Sequence, residues 1–270
     1  MPVLQAHPTA TAASTGYVDI EAPPGNHHRI KAEPVQITHP RRQGTLIRRY
    51  KRFLADIRLE NGRILTVHCP NSGSMLGCSA PRSQVLSSRS SNPGRKYPWT
   101  LEMVRVEETW VGVNTSRTNR LVEEALTGRI IDDFGKIRSI SREVTVSAGS
   151  RLDFLLETDH GRVYLEVKNC SLVENNIALF PDAVTARGTR HLQELSRLRG
   201  LGHRAALIFC IQRGDAESFQ PAAAIDPAYA ETLHTIYTKG VLILAYRADV
   251  RPDRIIIASR IPVLDGTTTT

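Results

Sequence analysis

The sequence has few cysteines, few lysines and no long apolar run. The four cysteines form no CxxC pair, so the spacing of a zinc ribbon is absent, and an intracellular protein with reduced thiols is the simplest interpretation. No stretch of about 18 apolar residues occurs, which excludes a membrane-spanning helix. The first residues also lack the basic and apolar segments of a secretory signal. Together these absences predict a cytoplasmic protein with no membrane partner.

Positive charge is concentrated in one part of the chain, whose formal net charge is +8 over 270 residues. Residues 44–119 hold twelve basic and five acidic side chains, a net charge of +7. Residues 120–270 hold nineteen of each and are neutral. Such a concentration favours a surface that binds a polyanion. The alternative is an ordinary solvated basic domain.

Composition and periodicity divide the chain into an extension and two folded parts. Residues 1–43 hold six of the fifteen prolines and little apolar periodicity, which predicts a disordered N-terminal extension. Residues 44–113 contain about five short β-rich segments, including a hairpin with its turn at Asn61-Gly62. This part of the chain predicts a small OB-type barrel, with an SH3-like barrel as the rival.

The pattern changes from Asn119. A helical repeat is followed by three strands, a helix that begins near Pro181, a strand, a second helix opened by Asp226-Pro227, and a final strand. Asp182 is expected to cap the helix near Pro181. Residues 114–265 therefore predict a mixed sheet with helices on its faces, and 266–270 form a tail. The expected fold is α+β or α/β with two domains.

Three charged residues lie in two neighbouring strands of this second part. Glu166 and Lys168 are two residues apart, so both project from one face, and Asp153 can approach that face if the strands form a hairpin. Burying two carboxylates together is costly unless they bind a cation such as Mg²⁺ or Mn²⁺. Lys168, in a chain with only six lysines, could then orient or deprotonate a water for phosphodiester hydrolysis. The alternative is a surface strand with an i, i+2 salt bridge.

Basic and aromatic residues alternate at two places in the barrel region. Such a mixture is typical of a groove that binds nucleic acid and stacks its bases. The residues predicted to bind DNA there are Arg48, Arg49, Lys51, Arg52, Arg95 and Lys96. The alternative is that the neighbouring aromatic residues Tyr50, Phe53 and Trp99 belong to the barrel core.

Two more candidates lie on the helix that follows Pro181. Arg187 and His191 are four residues apart, so they share a face away from the leucine stripe. A guanidinium and an imidazole in this position could contact a phosphate near the metal. The alternative is a solvated helix face.

Several blocks of the sequence resemble signature blocks of the sugar fermentation stimulation protein A family. In chain order they are TLIRRYKRFLADI (45–57), HCPNSGSMLGC (68–78), RKYPWTLE (95–102), VNTSRTNRLVEEAL (113–126), SRLDFLL (150–156), LEVKNCSL (165–172) and FPDAVTARGTRHLQEL (180–195). The resemblance covers about residues 44–250, and the first 43 residues lie outside the family pattern.

The resemblance implies an N-terminal OB-fold, a C-terminal PD-(D/E)XK nuclease-like domain, DNA binding and a Mg²⁺-dependent phosphodiesterase site. It places the metal carboxylates at Asp153 and Glu166 and the motif lysine at Lys168. Glu124 matches an acidic residue that reaches the metal through water. Leu152 stands where a proline usually precedes the motif aspartate, a departure common in this superfamily.

Two classes of function follow, both with DNA as the partner. The first is a Mg²⁺-dependent nuclease, favoured because a protein that only binds DNA does not need the full set of acidic residues and lysine. The second is a non-catalytic DNA-binding regulator of sugar (maltose) catabolism genes, which the family's name implies. No helix-turn-helix is present for base-specific readout in that case. An RNA-processing factor is a third reading, and a homodimer stays open.

Overall fold

The computed structural model of the protein describes residues 35–37 and 40–264. Most of the extension predicted at 1–43 lies outside these residues, as does the tail predicted at 266–270. The described part of the extension differs from the expectation of disorder. Val35–Gln36 forms a short strand, β1, and Arg41 opens the first strand of the barrel. Among the described residues, no helix is long and apolar enough to cross a membrane.

The first domain is a closed β-barrel. Its strands are β2 (Arg41–Tyr50), β3 (Leu54–Arg58), β4 (Ile64–His68), β5 (Gln84–Arg89), β6 (Trp99–Val106) and β7 (Thr109–Gly112). They pair in the order β4-β3-β2-β5-β6-β7, and β4 also meets β6 in parallel through His68 and Thr100. This last pairing closes five strands into a Greek-key ring, the OB-type barrel that the sequence predicts.

A tight turn divides the basic segment 45–59, which reads in the sequence as one long β-rich stretch. β2 ends at Tyr50 and β3 begins at Leu54. Between them, Lys51 and Arg52 adopt left-handed backbone angles, with φ of 46° and 63°. Glycine and asparagine take such angles most readily, so lysine and arginine gave no turn signal.

The second domain is a mixed sheet with helices on both faces. Its elements are α1 (Thr118–Thr127), β8 (Ile137–Ser147), β9 (Ser150–Thr158), β10 (Gly161–Cys170), β11 (Leu172–Glu174), β12 (Ile177–Phe180), α2 (Ala186–Gly200), β13 (Arg204–Ile211), β14 (Ser218–Pro221), α3 (Pro227–Thr238), β15 (Leu242–Arg251) and β16 (Arg254–Ile261). The main sheet has the order β1-β16-β15-β13-β10-β9-β8, and β11, β12 and β14 form a small second sheet. The central strands β10, β13 and β15 are parallel, so their apolar runs are buried on both faces.

Apolar stripes dock the helices on opposite faces of the main sheet. Leu121, Val122 and Ala125 of α1 pack on one face, while leucines of α2 and apolar residues of α3 pack on the other. The core beneath α1 also includes Leu86 and Met103 of the barrel. Both domains therefore contribute to this core, and the barrel also has a separate core of its own.

The start of α2 differs from the sequence prediction. The helix begins at Ala186, and its cap is Thr185, whose Oγ1 accepts a hydrogen bond from the Gly188 N–H at 3.1 Å. Asp182, predicted to be the cap, instead accepts a hydrogen bond of 2.8 Å from the Met75 N–H of the barrel. In contrast, α3 begins where predicted, and Asp226 caps it through the Tyr229 N–H.

Candidate active site

The hairpin of β9 and β10 opens at the position of Asp153. The two strands pair from Thr158 and Gly161 as far as Phe154 and Leu165, and the ladder ends there. Asp153 occupies the opening, where its Oδ2 accepts a hydrogen bond of 2.8 Å from the Val167 N–H. The carboxylate therefore replaces a strand partner and is held against β10, as the hairpin prediction required.

A second donor fixes the other oxygen of Asp153. The side-chain amide of Asn119, in the first turn of α1, donates to Asp153 Oδ1 at 2.8 Å. Burial, with the negative charge of Glu166 adding to it, raises the pKa of Asp153 to about 6. Two carboxylates are thus close enough to interact, and a bound cation would favour the ionised form of both.

Glu166 lies at the centre of the site and is 2% exposed. Lys168 Nζ donates to Glu166 Oε1 at 2.6 Å, and His191 Nδ1 contacts the same oxygen. Burial raises the pKa of Glu166, but the hydrogen bond from His191 and the charge of Lys168 outweigh it and leave the pKa below its ordinary value. Glu166 is therefore a carboxylate at neutral pH, and the i, i+2 pair with Lys168 is buried rather than on the surface.

The other oxygen of Glu166 is available for a ligand. Oε2 is buried and has no hydrogen-bond partner among the described residues. A buried carboxylate oxygen without a partner is costly, and a divalent cation shared with Asp153 would satisfy it. No group of three or more histidine, cysteine or acidic residues gathers as a metal site in the described part of the chain. Two carboxylates with waters still fit Mg²⁺, which commonly keeps several waters and takes one or two carboxylates.

α2 brings both of its predicted residues to this site. His191 is buried, and Arg187 Nε donates to its Nε2 at 3.4 Å. The ring therefore contacts Arg187 at Nε2 and Glu166 at Nδ1, and Lys168 Nζ lies 3.3 Å from the same Nδ1. Contact of these two residues with a phosphate stays a prediction.

Glu124 lies on the helix that supports Asp153. Its side chain is 13% exposed, and its Oε1 accepts a hydrogen bond of 2.9 Å from Arg120. The same helix provides Asn119. The role of Glu124 through a water stays a prediction.

Two of the predicted DNA-binding arginines support a loop instead of lying free. The Arg49 guanidinium donates to the carbonyls of Asn71, Gly73, Ser74 and Arg52 at 2.8 to 3.1 Å. Arg52 Nε donates to the Ser72 carbonyl at 3.0 Å. These side chains hold the loop at 71–74 against the barrel, which occupies many of the N–H groups that a phosphate would need.

The other basic barrel residues are more accessible. Arg48 is 66% exposed, pairs with Asp56 at 3.0 Å and lies over the Tyr50 ring. Lys51 is exposed, and Lys96 Nζ lies 5.7 Å from the centre of the Tyr97 ring. Of the aromatic residues, Trp99 is buried in the barrel core, whereas Phe53 is 43% exposed. The core alternative therefore holds for Trp99.

Sequence reasoning missed the contribution of Asn119. It lies inside the block VNTSRTNRLVEEAL, but an asparagine at the start of a helix has an ordinary explanation as a turn or capping residue. Only the folded structure shows that its amide donates to a carboxylate.

Comparison with known proteins identifies both domains. Residues 47–113 match the family described as the SfsA N-terminal OB domain, and residues 116–254 match the Sugar fermentation stimulation protein RE domain. A solved structure of Pyrococcus furiosus SfsA, described as a complex with Ca²⁺, has a TM-score of 0.79 and is 26% identical. The similarity covers 86% of this chain and 99% of that one.

Curated relatives agree over nearly their whole length. The sugar fermentation stimulation protein homolog of Pelobacter propionicus is 54% identical over 221 residues, which are 82% of this chain and 96% of the relative. The homolog of Desulfotalea psychrophila is 54% identical over 205 residues, covering 76% and 87% of the two chains. The homolog of Geobacter sp. (strain M21) is 46% identical over 230 residues, covering 85% and 100%. The chain belongs to the sugar fermentation stimulation protein family.

Proposed function

We propose that this protein is a divalent-cation-dependent nuclease that cleaves phosphodiester bonds in DNA. The observation that carries the proposal is the buried, unpartnered Oε2 of Glu166 beside Asp153 and Lys168. The structure of a family member is described as a complex with Ca²⁺, which supports binding of a divalent cation. A cation bound there would supply Lewis-acid activation of a phosphate oxygen or of a water.

The residues of the chain divide the remaining tasks. Asp153 and Glu166 would hold Mg²⁺ or Mn²⁺, and Asn119 and the Val167 N–H orient the first of these carboxylates. Lys168 is held by Glu166 through one N–H. Its Nζ also lies 3.3 Å from His191 Nδ1. The N–H groups that Glu166 does not use would position a water or neutralise charge on the phosphate. Glu124 would act through a water, and Arg187 and His191 would face the phosphate.

A second candidate is a non-catalytic DNA-binding regulator of sugar catabolism genes. The family's name favours it, and so does the occupied Oε1 of Glu166. Lys168 already supplies a positive charge to that oxygen, and His191 contacts it, without a cation. In this case the carboxylate site would be a structural remnant inside a DNA-binding scaffold.

One experiment separates the two candidates. End-labelled single-stranded and duplex DNA are incubated with the wild type in Mg²⁺, Mn²⁺, Ca²⁺ or EDTA, beside Lys168→Ala and Lys168→Arg. Lys239→Ala, which removes an exposed lysine, is the matched control. We expect cleavage in Mg²⁺ or Mn²⁺ only, a loss of about 10²–10³ in rate for Lys168→Ala, and no change for the control. DNA binding by the wild type without metal-dependent cleavage would leave the regulator.

A further inference from the structure

A basic groove lies where the barrel meets the start of α1. It encloses about 1130 Å³ and runs from the β5–β6 loop to Arg120. Four arginines line it, Arg89, Arg95, Arg117 and Arg120, against one acidic residue, Glu102. None of the sequence arguments about DNA binding included Arg89, Arg117 or Arg120.

The single acid in the groove contributes no free negative charge. Glu102 is 1% exposed, and Arg117 donates to both of its oxygens at 2.6 and 2.8 Å. Ser88 and Asn114 donate to it as well. Since Arg117 neutralises Glu102 and Arg120 pairs with Glu124, the net positive charge of the groove comes from Arg89 and Arg95.

These two arginines have no acidic partner in the described structure. Arg89 is exposed on the groove wall. Arg95 donates to Thr100 Oγ1 and meets His68 Nδ1, at 3.1 and 3.0 Å. Burial, together with the charge of Arg95, lowers the pKa of His68, so the ring is uncharged at neutral pH. The groove thus offers two uncompensated guanidinium groups, whereas Arg48 pairs with Asp56 and Arg49 is occupied by carbonyls.

The groove ends at α1, the helix that also orients Asp153. Arg120 lines the groove, and its chain neighbour Asn119 donates to Asp153. A polyanion in the groove would therefore lie beside the helix turn that holds the metal carboxylate. None of the described lining residues is phenylalanine, tyrosine or tryptophan, so the groove favours phosphate contacts over base stacking.

We propose that this groove, through Arg89 and Arg95, binds the sugar–phosphate backbone of one nucleic-acid strand and leads that strand to the Asp153 and Glu166 site. This inference rests on the proposed function, because that function makes the Asp153 and Glu166 site the end point of the strand. It adds the path by which the substrate reaches that site. Recognition is independent of sequence because phosphate contacts carry no base information. The surface is distinct from the basic run at 48–52.

The test measures binding under conditions that prevent cleavage. Fluorescence anisotropy in EDTA, over a series of salt concentrations, reports the affinity of a labelled mixed-sequence oligonucleotide as a single strand and as a duplex. The variants are Arg89→Ala, Arg89→Glu and Arg89→Ala/Arg95→Ala. Arg63→Ala is the matched control, because Arg63 is exposed beside the other end of β4, roughly 16 Å from His68 at about 3.3 Å per residue.

We expect the double variant to weaken binding at least about tenfold and to reduce the salt slope by about two. Arg89→Glu should weaken binding more than Arg89→Ala, and Arg63→Ala should leave both quantities unchanged. If the variants lose more affinity for the single strand than for the duplex, the groove accepts a single strand. If the two losses are equal, it accepts the backbone in both forms. Arg89 is exposed, so its single variants keep the test decisive if Arg95→Ala disturbs the fold.

The outcomes separate this inference from the nuclease proposal. If the Arg89 variants bind like the wild type while Arg48→Ala/Lys51→Ala loses affinity, the groove is overturned even when the wild type cleaves DNA. If the wild type binds DNA through the groove but does not cleave it, the binding role of the groove is supported and the nuclease proposal is wrong. If the affinity is unchanged in every variant, the basic barrel is not the DNA surface.

Discussion

The amide of Asn119 donates a hydrogen bond of 2.8 Å to Asp153, so the first turn of α1 sets the orientation of the carboxylate. The other oxygen of Asp153 is held by the Val167 N–H of β10. A helix and a strand that are far apart in sequence therefore define one side of the candidate metal site. This relationship makes the start of α1 part of the site although it carries no metal ligand of its own.

Asn119→Ala should weaken divalent-cation binding without unfolding the protein. Without the amide, one oxygen of Asp153 is free to rotate away, and loss of such a supporting contact typically costs 10–100-fold in metal affinity. Calorimetric titration with Ca²⁺ measures the change. Gln193→Ala, which removes an exposed amide from α2, is the control. An unaltered Ca²⁺ affinity in a folded Asn119→Ala protein would contradict the positioning role.

Cation binding should depend on pH through Asp153. Its pKa is raised to about 6, first by burial and then by the charge of Glu166. Below about pH 6 a proton competes with the cation, so affinity should fall by up to about tenfold per pH unit, and it should level off above about pH 7. Ca²⁺ titrations between pH 5 and 8 test this. A flat profile in the wild type would show that Asp153 does not ligate the ion.

Without metal, ionisation of Asp153 should lower the stability of the folded protein. Its pKa is higher in the folded protein than the ordinary value of 3.8. Its stabilising contribution is therefore present below about pH 4 and is lost as pH rises through about 6. The difference in unfolding free energy between wild type and Asp153→Asn isolates it from the other carboxyls. As pH rises, the wild type should lose stability relative to Asp153→Asn. A difference in unfolding free energy that does not change with pH would contradict this prediction.

Asp182→Ala should destabilise the contact between the domains. Asp182 accepts from the Met75 N–H at 2.8 Å, and its backbone carbonyl accepts from the Ser74 hydroxyl at 2.6 Å. Losing the carboxylate leaves the N–H of the buried Met75 without its partner, at a cost of about 1–3 kcal/mol. Urea unfolding measures it, with Asp132→Ala at an exposed aspartate as the control. Equal urea midpoints for Asp182→Ala and Asp132→Ala would contradict this prediction.

Glu102→Ala should cost about 3–5 kcal/mol, since it leaves the Arg117 guanidinium largely buried without a counter-charge. The double variant Glu102→Leu/Arg117→Met should recover much of that loss because both charges are removed. Glu108→Ala is the control, since that carboxylate is 92% exposed in its pair with Arg105. Chemical unfolding of the four proteins tests this, and a double variant as unstable as Glu102→Ala would contradict it.

The strand pattern was sufficient to predict that Asp153, Glu166 and Lys168 come together, while their catalytic role stays a prediction. Spacing of two residues put Glu166 and Lys168 on one face, and the hairpin at 158–161 put Asp153 beside them. Period-2 alternation and turn chemistry are local properties, so the sequence carries them directly. The OB-type barrel and the mixed sheet were predicted on the same basis.

Contacts between distant segments could not be predicted in this way. Asp182 has the sequence context of a helix cap, yet it binds Met75, which is 107 positions away. Arg49 and Arg52 look like DNA ligands in a basic run, but the loop at 71–74 takes their N–H groups. The groups that accept these hydrogen bonds are backbone carbonyls. Every residue has one, so the sequence does not show which of them bind the arginines.

Because both domains contribute to the core beneath α1, neither domain can be replaced by an unrelated one without exposing part of that core. Leu86 and Met103 belong to barrel strands but are buried together with Leu121 and Phe154 of the second domain. A barrel separated from its partner would expose these side chains to water at about 25 cal/mol per Å². The barrel is consequently not an interchangeable module, and the two domains should melt in one cooperative step and diverge in evolution as a pair.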